Sequence, residues 1–264
     1  MSTIEGTRPS LIAERLVDDR HSLPLSVALH LVPGVLIVAA YLLLGEPLTR
    51  AVGCPAFLGW AIALCLILIP IQAGLVWLGY QRNGRLSLEG VLQYTGRPVP
   101  RGKLLAMATA LIGWMMVLGV VLAPLNDFFK LFFTWLPYAN TGGSGNNTYL
   151  DLHGYSHSTL LVTTLICLPL TGFTLPLLEE VYFRGFLLPR LAHLRMWAPV
   201  VSTVLFALYH LWSPWVFVSR VIFTFPGYWC AWRYNDIRLS IGMHVGVTSI
   251  VAAFGTAALV LGLV

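Results

Sequence analysis

Two adjacent glutamates, Glu179 and Glu180, stand in the middle of an apolar stretch of this chain. The surrounding run reads Leu-Pro-Leu-Leu-Glu-Glu-Val-Tyr-Phe-Arg-Gly-Phe. An ionisable side chain at membrane depth costs at least about 2.5 kcal/mol on insertion scales, so proteins keep such groups for function or pair them. These two carboxylates are therefore the first candidates for chemistry.

Helical spacing predicts different surroundings for the two glutamates. Successive residues of an α-helix point about 100° apart. Glu180 shares a face with Arg184, four residues later, which favours an ion pair. Glu179 shares its face with Phe183 and Phe186, and a desolvated carboxylate is suited to act as a general base near neutral pH. The spacing predicts a structural role for Glu180 and Arg184 and a chemical role for Glu179, although a purely structural ion pair is the simpler alternative.

Two histidines lie in later apolar segments. His210 follows Phe206 by four residues, and His244 precedes Thr248 by four, so each pair shares a helical face. A lone histidine in an apolar helix is more often a hydrogen-bond donor between helices. Here there are two such histidines, and a third segment carries an acidic pair. Together these residues favour a shared site over two separate structural hydrogen bonds.

No other motif in the sequence indicates a competing chemistry. We find no Gly-x-Ser-x-Gly, no His-Glu-x-x-His and no phosphate-binding glycine loop. The four cysteines have neither Cys-x-x-Cys nor metal-ligand spacing, so we interpret them as small buried hydrophobic residues.

The elements that must position these residues are membrane helices. Of 264 residues, 57% are hydrophobic and only 10% are charged, whereas soluble domains carry about 25% charged residues. The sequence therefore predicts an all-α polytopic transmembrane bundle with about seven spans and one short interfacial helix. The predicted spans are Leu25–Leu44, Ala56–Tyr80, Leu104–Leu125, Ser158–Leu191, Trp197–Trp212, Trp215–Trp232 and Leu239–Val264, with the interfacial segment at Asp127–Leu136.

The basic residues predict the orientation. Placing the N-terminus in the cytoplasm puts most of the 16 Lys and Arg residues inside, as the positive-inside rule requires. We expect a multi-pass protein of a bacterial plasma membrane, in contact with the lipid bilayer. The basic residues flank spans and form no stripe, which argues against a nucleic-acid partner. The predicted divisions are a cytoplasmic tail (1–24), N-terminal transmembrane helices (25–138), an extracytoplasmic loop with an Asn-Asn-Thr glycosylation sequon (139–158), and a catalytic transmembrane region (158–264).

The three motifs together resemble the CPBP family of intramembrane proteases. Those motifs are Glu179-Glu180-x-x-x-Arg184, Phe206-x-x-x-His210 and His244-x-x-x-Thr248. The family includes the type II CAAX prenyl endopeptidases and the bacterial Abi proteins, some of them linked to bacteriocin immunity. The resemblance runs from about residue 158 to the end of the chain.

The resemblance implies a role for each motif residue. Glu179 and His210 would activate a water, and His244 and Thr248 would stabilise the oxyanion, with Glu180, Arg184 and Phe206 in support. The family usually has Asn or Asp where this chain has Thr248. A zinc ion held by Glu179, His210 and His244 is an alternative to a metal-free mechanism, and both remain open.

Three functions are compatible with these residues. The first is an endopeptidase that cleaves a membrane-associated protein or peptide, with prenylated or CAAX-like chains as candidates. The second is a catalytically weak immunity or scaffold protein on the same fold, which the threonine at 248 motivates. The third is a proton-coupled transporter, because Glu and His relays occur there. Counting residues places His210 about 20 Å further out than Glu179, so we expect a tilted helix or a break at Pro176, and a water-filled cavity among the last four segments.

Overall fold

The computed structural model describes residues 10–94, 98–141 and 154–263, and the predicted sequon and most of the predicted extracytoplasmic loop lie outside them. Nine helices make up these described residues, and no β-strand forms among them, which confirms the predicted all-α fold. The helices are α1 Leu11–Val17, α2 Leu23–Ala51, α3 Ala56–Asn83, α4 Arg101–Val121, α5 Ala123–Lys130, α6 His157–Leu194, α7 Trp197–Tyr209, α8 Phe217–Tyr234 and α9 Arg238–Val260.

Five of these helices are long and apolar enough to cross a membrane: α2, α3, α4, α6 and α9. Two predicted spans fall short of that standard. Helix α7 has only 13 residues, whereas a span needs about 20. Helix α8 has 18 residues and carries two arginines, Arg220 and Arg233. Five helices of the described chain therefore have the length and composition of a membrane span, and α7 and α8 are shorter or more polar helices packed among them.

Helix α6, which carries the two glutamates, is irregular. Its α-helical turns are interrupted by π-helical turns at Leu170–Thr174 and Val181–Leu187, and it ends in a 3-10 turn at Leu188–Leu194. Pro176 lacks the N–H that an α-helix would direct to the Gly172 carbonyl. Side chains from the last helix replace that donor, because the hydroxyls of Thr248 and Ser249 each donate to the Gly172 oxygen at 2.8 Å. The irregular helix is thus tied to α9 beside the acidic pair.

The remaining helices enclose this irregular segment. Helix α9 packs against α4, α6 and α8, and α7 packs between α2 and α8. The contact between α2 and α7 depends on Gly34, where an added Cβ would lie 2.1 Å from the Tyr209 carbonyl oxygen. Helix α4, by contrast, is almost entirely exposed on its outer face, as expected for a helix that borders lipid.

A polar contact outside the helices connects the start of α4 to the start of α9. The Asp236 carboxylate accepts hydrogen bonds from the Val99 N–H at 2.8 Å and from the Arg238 guanidinium at 2.6 Å. Burial by itself would raise the pKa of Asp236, but the donors from Arg238 and Val99 outweigh it and lower that pKa from its usual value. The ionised carboxylate therefore stabilises the turn that leads into α9.

Candidate active site

Glu180 and Arg184 form the predicted ion pair in the interior of the bundle. Arg184 Nη1 lies 3.4 Å from Glu180 Oε1, and both side chains are fully buried. The guanidinium also stacks between two rings, with its Cζ 3.2 Å from the centroid of Tyr228 and 3.9 Å from that of Phe206. A desolvated cation gains about 2 kcal/mol from such a ring face. The contact confirms that these two residues pair.

Glu180 also contacts the last helix, through the same carboxylate oxygen that faces Arg184. His244 Nδ1 lies 2.8 Å from Glu180 Oε1. With its Nδ1–H donating to this carboxylate, the ring is held in one orientation. His244 Nε2 then faces Glu179 Oε2 at 3.9 Å. Glu180 therefore organises the site by holding Arg184 on its own helix and His244 on the other.

Glu179 has a different set of neighbours. Its Oε1 accepts a hydrogen bond from the hydroxyl of Tyr209 at 3.0 Å, and its side chain is almost completely buried. Tyr209 is itself fully buried at the end of α7. No motif in the sequence predicted Tyr209 as a site residue. The signal available was its position beside His210, because a phenol in a buried apolar helix needs a hydrogen-bond partner.

His210 is the first residue beyond α7, where the backbone leaves the helical conformation at φ −76° and ψ 57°. Its Nδ1 lies 2.9 Å from the Phe206 carbonyl oxygen. Donation of the Nδ1 proton to that oxygen leaves Nε2 with a free lone pair. The Phe206 ring contacts both imidazoles, with its centroid 4.6 Å from that of His210 and 6.0 Å from that of His244. The motif phenylalanine thus packs against both candidate histidines.

Counting residues along separate spans gave a depth difference of about 20 Å between Glu179 and His210, which we expected a tilted helix or a break at Pro176 to remove. Helices α6 and α7 form an antiparallel hairpin around the turn after Leu194. Glu179 lies about four helical turns before that point, and Tyr209 about four turns after it, so the two stand at the same depth. Their direct hydrogen bond confirms this arrangement and brings the neighbouring His210 to the level of Glu179.

Thr248 is engaged with the backbone. Its hydroxyl oxygen lies 2.8 Å from the Gly172 oxygen, 2.9 Å from the His244 oxygen and 3.2 Å from the Val245 oxygen. A threonine hydroxyl has one proton to donate, and all three neighbours are acceptors. The role of Thr248 in binding an oxyanion stays a prediction, and these contacts favour a structural role at the break in α6.

The predicted zinc ligands do not form a metal-binding group as they are placed. Within the ranges that the structure describes, no three His, Cys, Asp or Glu side chains converge closely enough to hold an ion. Glu179 faces His244, whereas His210 contacts the Phe206 carbonyl and ring instead. Metal dependence stays a prediction, and we derive no step of the chemistry through a metal.

The fold and site define an integral membrane protein of helices with a buried carboxylate–histidine centre. Comparison with protein families agrees: residues 161–250 match the model of the type II CAAX prenyl endopeptidases, Rce1-like. The match contains every residue of the predicted site and confirms the resemblance stated from the sequence. The match is a similarity of this region of the chain, and it covers about a third of the 264 residues. Neither the curated proteins nor the solved structures contain a match to the chain.

Proposed function

We propose that this protein is an intramembrane endopeptidase that hydrolyses a peptide bond of a membrane-associated protein or peptide. Prenylated, CAAX-type chains are the substrate class that the family match supports. The observation that carries the proposal is the division between the two buried glutamates. Glu180 Oε1 is shared by Arg184 and His244, whereas Glu179 binds the Tyr209 hydroxyl through Oε1 and directs Oε2 towards the His244 imidazole.

In the proposed reaction, Glu179 and His210 activate a water. Glu179 Oε2 takes a proton from the water, and the free Nε2 of His210 orients that water by accepting its other hydrogen. The water oxygen bonds to the scissile carbonyl carbon, and the π electron pair moves onto the carbonyl oxygen. When this intermediate collapses, the C–N bond breaks and the proton on Glu179 passes to the leaving nitrogen. A positioned acid or base of this kind contributes about 10²–10⁴ in rate.

His244 supplies the donor for the developing negative charge. With its Nδ1–H bonded to Glu180, the imidazolium form presents Nε2–H towards the same space as Glu179 Oε2. The side chains of Glu179, Glu180 and His244 are buried, and a donor in such a water-poor site stabilises an oxyanion more strongly than it would in water. The buried carboxylate of Glu180 supports the positive charge on His244 during the step.

The distribution of basic residues supports an orientation of the protein in the membrane. The positive-inside rule places the N-terminus in the cytoplasm, and we include that orientation, and a bacterial plasma membrane, in the proposal. The helix α6–α7 hairpin carries both Glu179 and His210. We also propose that substrate approaches from the bilayer, where a lipid-anchored peptide is concentrated.

One observation favours a second candidate, a catalytically weak immunity or scaffold protein. The hydroxyl of Thr248 is directed at backbone carbonyls, which removes one of the two oxyanion donors that the family resemblance implied. This candidate predicts binding of a membrane partner without cleavage, and with no dependence on Glu179.

Cleavage of a prenylated CAAX peptide by the protein in lipid vesicles tests the proposal. Glu179→Gln should lower kcat by about 10²–10⁴, since the general base is lost. Glu89→Gln is the matched control, because Glu89 is exposed and lies outside the bundle core. Wild-type cleavage that is unaffected by a chelator would agree with the metal-free scheme. No cleavage by the wild type, with a binding phenotype that survives Glu179→Gln, would support the scaffold candidate instead.

A further inference from the structure

Three arginines are buried in the described part of the chain, and two of them have clear partners. Arg184 faces Glu180 and stacks on aromatic rings. Arg190 donates to the backbone oxygens of Val91 and Phe186 and lies over the Phe186 ring. Arg220, on α8, has neither a carboxylate within 4 Å nor a stacked ring among the described residues. A buried guanidinium without such compensation needs an explanation.

Arg220 lies beside the catalytic histidine. Its Nη2 donates to the hydroxyl of Ser213 at 3.0 Å, and the Ser213 N–H donates to the His210 carbonyl at 3.0 Å. Its Nη1 is buried and finds no acceptor among the described residues. The carboxylate of Glu179 acts electrostatically on this guanidinium. One donor arm of Arg220 therefore holds the turn at 210–213, and the other is buried without an acceptor among the described residues.

The charge balance of the proposed reaction gives this free donor a use. In the resting site the carboxylate of Glu179 attracts the guanidinium of Arg220 without forming an ion pair with it. When Glu179 takes the proton from water, that carboxyl group becomes neutral. The negative charge moves to the substrate carbonyl oxygen, while the total charge of the site is unchanged. A buried cation that has lost its partner then stabilises the new anion strongly, because the surroundings have a low dielectric constant.

We propose that Arg220 Nη1 is the second donor to the oxyanion, in the place that Thr248 does not fill. His244 Nε2–H is the first donor, and Arg220 approaches from α8. No bond other than those of the hydrolysis is made or broken, since the guanidinium donates a hydrogen bond and keeps its proton. This inference rests on the proposed function, because it assumes that a peptide carbonyl is attacked at this site.

The test compares Arg220→Gln, Arg220→Lys and the control Arg190→Gln in the vesicle cleavage assay. Loss of one oxyanion donor lowers kcat by about 10²–10³, so Arg220→Gln should show that loss with little change in KM. Arg220→Lys, which keeps the charge, should recover part of the lost kcat. Arg190→Gln removes a buried arginine remote from the reacting atoms and should leave the kcat of the folded protein near the wild-type value.

Two further arms separate this proposal from its alternatives. Each variant is assayed on one peptide with a free C-terminal carboxylate and on the same peptide as an amide, and the oxyanion role predicts equal losses on both. A loss confined to KM for the free carboxylate would show that Arg220 binds the substrate terminus instead, and would overturn the proposal. The loss of kcat caused by Ser213→Ala should be at least tenfold smaller than the loss caused by Arg220→Gln. Equal losses of kcat in these two variants would show that Arg220 only positions the turn that carries His210, and would overturn the proposal.

The failure of this inference is distinguishable from the failure of the proposed function. If the wild type cleaves and Glu179→Gln does not, but Arg220→Gln has the wild-type kcat, only the role of Arg220 is refuted. If the wild type cleaves neither peptide, the proposed function is refuted, and the oxyanion role of Arg220 is refuted with it.

Discussion

Arg184 provides the sharpest test of how the acidic pair is stabilised. Arg184→Met removes the guanidinium that faces Glu180 at 3.4 Å, with both side chains fully buried. Breaking a buried ion pair from one side costs about 3–5 kcal/mol, because the other charge is left without compensation. Typical folding free energies are about 5–15 kcal/mol. We therefore expect this single substitution to remove a large part of the stability of the protein.

The matched control is another pair with the same spacing. Arg85 and Glu89 are also four residues apart, at 2.7 Å, but their side chains are 71% and 72% exposed. Solvent screens such a pair, so Arg85→Met should cost less than about 1 kcal/mol. The two variants make the same change of side-chain type, one in a buried pair that also stacks on aromatic rings and one in an exposed pair.

Unfolding by denaturant in micelles, followed by tryptophan fluorescence, measures both variants. The double variant Glu180→Gln/Arg184→Met should recover part of the loss, since it leaves no unpaired carboxylate in the interior. If Arg184→Met costs no more than Arg85→Met, the reasoning is refuted. The His244 contact alone would then suffice to compensate Glu180.

Three further predictions concern the geometry of the site and its surroundings. Gly34→Ala should displace the end of α7, because its Cβ would lie 2.1 Å from the Tyr209 carbonyl oxygen; a displacement of about 1 Å costs about 100-fold in kcat. Gly74→Ala, with open space at the added Cβ, should leave cleavage unchanged, and equal effects of the two would contradict the close approach. Tyr209→Phe removes a charge-assisted hydrogen bond to Glu179 that is worth about 1.5–3 kcal/mol, so kcat should fall about 10- to 100-fold. An unaltered kcat would show that this hydrogen bond does not position the carboxylate. The lowered pKa of Asp236 means that the unfolded chain binds the proton more tightly, so this residue stabilises the fold above about pH 4 and that contribution is lost on acidification. Asp236→Asn should lower the free energy of unfolding by roughly 1 kcal/mol at neutral pH and should flatten its dependence on acid. An unchanged acid dependence would refute this assignment.

Local spacing accounts for much of what the sequence predicted correctly. Four residues separate Glu180 from Arg184, and that pairing forms even though the segment between them is π-helical. The low content of charged residues predicted the membrane helices, and the polar residues at membrane depth marked the site. These signals are visible in one dimension because helical periodicity and the cost of burying charge act over a few residues.

Contacts between distant elements account for what the sequence did not predict. The count of about 20 Å ran outward from Trp197 along a separate segment, and it could not show that Tyr209 of α7 hydrogen-bonds directly to Glu179 of α6. The engagement of Thr248 follows from the missing N–H of Pro176, which frees the carbonyl of Gly172 on another helix. A motif comparison reads positions along a chain, and it contains no information about which backbone acceptors a proline elsewhere leaves unpaired.

Arg220 was recognisable in part. A charged residue inside an apolar segment carries the same cost as the glutamates, and that cost alone makes it a candidate. Its position beside the turn that carries His210, and the free Nη1, became visible only with the packing of α8 against α7.

The single-turnover rate of peptide-bond cleavage by Glu179→Gln tests the central claim most directly. The substitution keeps the size of the side chain and its acceptor oxygen for Tyr209, but it removes the group that takes the proton from water. With the folded variant in lipid vesicles, we predict a rate about 10²–10⁴ below that of the wild type. A rate equal to that of the wild type would contradict the assignment of Glu179 as the general base.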